Sequence, residues 1–133
     1  MDTSAWYAAA DSSDRSNARV KQALGSVDSL VSTDHVLVET WTLLRHKLGR
    51  GAADNFWFGL LSGIASVEPV GLADIQVAWE SGQAFPDQDF SIVDRTSFAV
   101  MQRLGIASAV TLDADFSVFR YGRNRDRAFT VLP

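Results

Sequence analysis

The sequence contains no cysteine and only three prolines in 133 residues. The first absence excludes a disulfide framework, a thiolate metal site and a thiol nucleophile, and it is compatible with a reducing compartment. No apolar run approaches the ~20 residues that a membrane-spanning helix requires, and the amino-terminus lacks the basic-then-apolar order of a secretory signal. The expectation is a soluble, cytoplasmic protein. Zinc chemistry has little to work with, because the two histidines, His35 and His46, have no partner at ligand spacing. Positive charge is scarce as well, with 12 Lys and Arg against 16 Asp and Glu. What there is gathers near the end, where "FRYGRNRDRAFTVLP" carries Arg120, Arg123, Arg125 and Arg127 against a single aspartate. An acidic body with one basic segment leaves room for phosphate contacts at one edge. Repeats, low-complexity tracts and linkers are missing, so residues 1–133 read as a single domain.

Apolar residues make up 47% and charged residues 21% of the chain, an ordinary globular balance. Helical periodicity runs through "DSSDRSNARVKQALGS", "DHVLVETWTLLRHKLGR", "AADNFWFGLLSG", "GLADIQVAWESGQAF" and "SIVDRTSFAVMQRLG". Glycines or basic last turns close several of these segments. "DSLVST" and "IASVEPV" read as short strands, "ASAVTLDADF" as a strand ended by acidic turn residues, and "RAFTVLP" as a final strand. This alternation predicts an α/β fold with a mostly parallel sheet covered by helices.

In open α/β sheets ligands bind beyond the carboxyl ends of strands, which directs attention to acids placed there. Asp113 follows "SAVTL", with Asp115 two residues on. Asp94 begins a helix after the turn "PDQDF", and its spacing from Ser91 also fits a capping box. Glu39 lies in the apolar run "VLVETW", where an unpartnered carboxylate is costly to bury. Asp2 stands at the start of the chain with no strand-forming run ahead of it. If such carboxylates converge, they form an oxygen-ligand site for Mg²⁺ or Mn²⁺, and hydrolysis by metal-activated water is the natural chemistry. Each acid also has an ordinary reading, as a cap, a turn residue or a terminal charge.

The blocks "DTSAWYA", "VLVETWTLLRHKLG", "FSIVDRTSFAVMQRLGI" and "AVTLDADF" occur in this order, and together they resemble a VapC-like PIN-domain ribonuclease toxin. The resemblance covers nearly the whole chain. It implies a three-layer α/β/α sandwich in which acids at the carboxyl edge of the sheet bind Mg²⁺ or Mn²⁺ and cleave RNA. On position it implies Asp2, Glu39, Asp94 and Asp113 as catalytic and metal-binding residues, with Asp115 and Ser4 auxiliary. Arg120, Arg123, Arg125 and Arg127 become candidates for the RNA backbone. A VapB-like antitoxin is the implied partner, and a homodimer is common in such families. The alternatives are a catalytically silent PIN-like binding module and a PIN nuclease outside any toxin–antitoxin pair. The resemblance also places a central strand immediately before the first aspartate, where this chain supplies only Met1, and the expectation is that the first strand is missing or truncated because the true start lies upstream.

Overall fold

A computed structural model describes residues 1–133. The chain folds as α1 (Thr3–Ala10), α2 (Asn17–Leu24), β1 (Val31–Thr33), α3 (Asp34–Leu48), α4 (Arg50–Leu61), β2 (Ser66–Glu68), α5 (Leu72–Ala84), α6 (Ile92–Leu104), β3 (Ser108–Val110), α7 (Asp115–Val118) and β4 (Thr130–Leu132). The class is α/β, and every strand pair is parallel: β1 with β2, and β3 with β4.

The longer helices form for reasons visible in the residues that bound them. Thr33 caps α3, its Oγ1 accepting from the amide of Val36 at 3.0 Å, and this satisfies one of the unpaired amides of the first turn. At its other end Gly49 adopts φ 95, which a side-chain-bearing residue rarely tolerates, and so lets α4 start one residue after α3 stops. In α6 Ser91 and Asp94 form a reciprocal capping box, with the Asp94 amide donating to Ser91 Oγ at 3.0 Å and the Ser91 amide to Asp94 Oδ2 at 3.3 Å. Gly105, left-handed at φ 69, ends that helix. Arg103 in the last turn of α6 reaches Asp74 Oδ1 at 2.9 Å and Glu68 Oε1 at 2.8 Å, tying α6 to α5 and β2.

Two regions depart from the sequence reading. "TSAWYAAA", given no element above, is α1. It is apolar on most sides, with Thr3, Ala5, Trp6 and Ala8 buried, so no polar stripe marks it as helical. The strand read over "ASAVTLDADF" stops at Val110, because Asp113 Oδ1 accepts from the Asp115 amide at 2.9 Å and turns the chain into α7.

Three apolar clusters make up the core. Phe90, Phe98, Phe116, Phe119 and Phe129 pack with Ala109 under α6. Ala5, Ala8 and Val20 meet Val110, while Trp6 and Val36 meet Leu60 and Ala65. Trp6 also donates to Ser32 Oγ at 2.8 Å and Trp41 to Asp54 Oδ1 at 3.0 Å, whereas Trp57 and Trp79 are exposed. The expected continuous sheet is two half-sheets. Between β1 and β3 stand only Met1 and Asp2, with the Met1 amino group on Val31 O at 2.6 Å and the Asp2 amide on Val110 O at 3.0 Å.

Candidate metal centre

Four aspartates meet near the carboxyl end of β3, delivered by three local devices. Asp2 is the N-cap of α1, where the helix dipole favours a negative charge. Its Oδ2 accepts from Ser4 Oγ at 2.9 Å and from Thr111 Oγ1 at 3.0 Å. Thr111 Oγ1 in turn accepts from the Asp113 amide at 2.9 Å, and Ser4 Oγ from the Leu112 amide at the same distance. Two hydroxyls therefore fasten the start of α1 to the segment after β3. Asp94 is presented by the first turn of α6, and Asp113 and Asp115 by the turn into α7.

The Asp94, Asp113 and Asp115 carboxylates each offer an oxygen within 4.8 Å of the other two. Asp94 is buried and the other two are half-buried. None of the ion pairs, Arg50–Asp54, Arg103–Glu68 and Arg103–Asp74, touches this group. Burial, then the Asp113 charge, then the Asp2 charge push the Asp94 carboxyl up to about 7 against the opposing hydrogen bonds from Ser91. Burial and the Asp113 charge raise Asp115 as well. Like-charged oxygens held this close without a cation fit a hard divalent ion, for which clustered carboxylates are the preferred donors.

This arrangement has a measurable signature. The Asp94 carboxyl ordinarily titrates at 3.8, so folding raises its proton affinity. Its contribution to stability is complete below about pH 4 and is lost as pH rises toward 7. Thermal unfolding of chelator-treated protein from pH 4 to 8 should show Tm falling across that window, with a smaller fall in Asp94→Asn. Equal slopes in the two proteins would contradict the assignment.

The other expected site residues are placed as follows. Glu39 sits half-buried on α3, and its carboxylate is not among the three that converge. Its neighbour Thr40 touches Thr3, next to Asp2, at 3.3 Å between hydroxyl oxygens. Arg120 Nη1 donates to the carbonyls of Ser117, Val118 and Phe119, closing off α7. Arg125 lies over the Phe85 ring and Arg127 over Tyr121, with Tyr121 and Arg127 bridged in antiparallel fashion. Arg123 is exposed and makes no hydrogen bond or ion pair. His35, in the first turn of α3, has Nδ1 3.3 Å from Thr96 Oγ1. Thr111 was not foreseen, since nothing separates a lone threonine between Val110 and Leu112 from an ordinary strand residue.

Comparison with known proteins decides what kind of fold carries this cluster. Residues 1–120 match the family model described as PIN domain. The chain belongs to the PIN-domain family. It is 40% identical over 119 residues to the 23S rRNA-specific endonuclease VapC20 of Mycobacterium tuberculosis, in both strain CDC 1551 / Oshkosh and strain H37Rv. The match spans 88% of this chain and 90% of each relative. The crystal structure of M. tuberculosis VapC20, a Sarcin-Ricin loop cleaving toxin, superposes with a TM-score of 0.83 at 36% identity, covering 88% of this chain and 91% of that one. No helix of this PIN domain is long and apolar enough to cross a membrane.

Proposed function

We propose that this PIN domain is a divalent-metal-dependent endoribonuclease, the toxin of a toxin–antitoxin pair acting in the cytoplasm, and that its substrate is large-subunit ribosomal RNA, as it is for the VapC20 relatives. The observation that carries the reading is the trio of Asp94, Asp113 and Asp115 oxygens within 4.8 Å, with no cationic side chain among them. Asp94 and Asp113 hold the ion, Mg²⁺ or Mn²⁺, with Asp115 beside them. Asp2 adds charge and stays oriented by Ser4 and Thr111. A divalent ion held by these carboxylates would supply charge to offset that building on the scissile phosphate and would acidify the attacking water. The protein's share is to fix its carboxylates beforehand. Asp94 is held by the Ser91 amide and Asp2 by two hydroxyls, so neither has to reorganise when substrate arrives.

The deciding experiment incubates the purified chain with 23S rRNA in Mn²⁺ and again in chelator. The expected result is cleavage confined to one site and lost with chelator. Binding without cleavage would instead identify a silent module. Within the same assay Glu39→Gln should lower the rate less than Asp113→Asn does, because only Asp113 belongs to the converged group. A VapB-like antitoxin would present a cation to the acidic cluster, and the exposed Trp57, Phe58 and Leu61 on α4 offer apolar area to that partner or to a second copy in a homodimer. Arg123 is exposed with no hydrogen bond or ion pair, and alanine there should flatten the salt dependence of RNA binding more than alanine at Arg120, whose guanidinium is held by three carbonyls.

A further inference from the structure

Cations are disfavoured at a helix N-terminus, yet α2 opens with two of them. Arg15 stands just ahead of the helix and Arg19 in its first turn, and that turn holds no acid. Both set a positive charge against the positive end of the helix dipole, and like charges at this spacing repel each other. Neither makes a hydrogen bond or an ion pair within the chain. Arginines elsewhere mostly do find partners. Arg50 and Arg103 meet carboxylates, Arg95 and Arg120 donate to carbonyls, and Arg45, Arg125 and Arg127 lie over aromatic rings.

Arg15 and Arg19 line one open recess of about 560 Å³ together with Asp14, Ser16 and Leu112. Ser16 is 9% exposed, and its Oγ has no hydrogen-bond partner although the residue caps a helix. Asp14 is the one anion in the wall, and its Oδ1 is taken by the Ser16 amide at 2.7 Å. The frame is fixed before any ligand arrives: Asn17 Nδ2 donates to the carbonyls of Ala8 at 2.7 Å and Asp11 at 3.0 Å, and Asp11 Oδ1 accepts from the Ser13 amide at 2.9 Å. Leu112 is the only apolar residue of the wall, so a base or another flat apolar group has nothing to stack on. What fits is a small anion met by two forked donors and a hydroxyl.

The position of the recess narrows the source of that anion. Leu112 lies between Thr111 and Asp113, and its amide donates to Ser4 Oγ, which donates in turn to Asp2. The recess therefore borders the segment that carries the acidic cluster. A polynucleotide whose scissile phosphate sits at that cluster carries further phosphates on either side, and those need cations that the carboxylates do not supply.

We propose that Arg15, Arg19 and Ser16 form a phosphate subsite that holds the RNA backbone to one side of the scissile bond. The proposal rests on the ribonuclease reading above. Such a contact is blind to base identity, so it contributes affinity and register along the strand, while choice of sequence lies elsewhere.

The test follows the anisotropy of a labelled single-stranded RNA, without metal and over a range of salt, for the full chain and three variants. Both arginine side chains are exposed, so the variants should keep the parent's circular dichroism spectrum. Arg15→Gln/Arg19→Gln is expected to weaken binding at least ~10-fold and to lower the salt slope by about 0.7, the share of one single-strand phosphate. Arg15→Lys/Arg19→Lys should keep the slope and recover only part of the affinity, because an ammonium retains the charge without the fork. Arg50→Gln, which removes a charge from an exposed ion pair on α4, should bind as the parent does. A glutamine pair that matches Arg50→Gln in affinity and slope would overturn the proposal. A saturable shift of the Ser16 amide resonance with inorganic phosphate, alongside RNA affinity unchanged in the glutamine pair, would overturn it in favour of a free-anion site. Because binding is read without metal, a parent chain that fails to cleave RNA would count against the ribonuclease reading, while the binding comparison still decides the subsite.

Discussion

Replacing Asp94 with asparagine is expected to lower metal-dependent RNA cleavage on the order of 10³-fold and, at the same time, to raise the Tm of the metal-free protein by about 5 °C, or roughly 1 kcal/mol. Both effects have one origin. Asp94 is buried beside Asp113 and Asp2, and that environment holds its carboxyl near 7. Without an ion, the folded protein carries a repulsion that an amide removes. With an ion, the same crowding becomes attraction to the metal, and the amide forfeits it. Asparagine retains an oxygen to accept from the Ser91 amide, so the cap of α6 persists and the far-ultraviolet circular dichroism spectrum should not change. Single-turnover cleavage in Mn²⁺ and thermal melts in chelator provide the two readings. A variant that keeps cleavage within tenfold of the parent would remove Asp94 from the site, and a lower Tm in chelator would refute the account of its burial.

The largest loss of stability is expected from Phe98→Ala, at about 4 kcal/mol in urea titration at neutral pH. Phe98 is fully buried one helical turn beyond Asp94. Its ring stacks on Phe119 at 4.2 Å and meets Phe116 edge-on at 5.0 Å and Phe90 at 5.4 Å. Truncation forfeits the transfer energy of the ring and leaves a cavity bounded by three other rings, which cannot all close on it. Phe116 lies next to Asp115 on α7, so the same cavity should loosen one arm of the acidic cluster. Cleavage is therefore expected to weaken even at temperatures where the variant is folded. A loss below 2 kcal/mol would mean that the aromatic cluster repacks freely.

The fold was legible where periodicity and boundary residues agreed. α3, α5 and α6 carry apolar positions at helical spacing, and the boundaries of α3 and α6 are marked by Thr33, Ser91, Gly49 and Gly105. α1 was not legible because burial on most sides erases its polar stripe. α7 was not legible because four residues are too few to show a period. For the site, residue types were visible and convergence was not. Asp94 illustrates the difference: its spacing from Ser91 gives the capping box, which is present, yet membership in the carboxylate group depends on α6 and α7 packing through Phe98 and Phe116. Glu39 showed the same chemistry in sequence, but α3 holds it outside the converging three. Arg120 looked free for RNA because its partners, carbonyls one to three residues back, leave no mark in composition.

Helix α6 serves three regions of the molecule with thirteen consecutive residues. Its first turn delivers Asp94 to the acidic cluster, its middle places Phe98 in the aromatic core, and its last turn sends Arg103 to Asp74 and Glu68. Few of its positions are therefore free to drift, since a change acceptable to one neighbour disturbs another. In a saturation library scored for growth arrest, this segment should accept the fewest alternatives. Ile92, exposed at its start, should be the chief exception. Diversity among natural or selected variants should then accumulate on α4 and in the 122–127 loop, where partner choice and substrate reach can change without disturbing the catalytic frame.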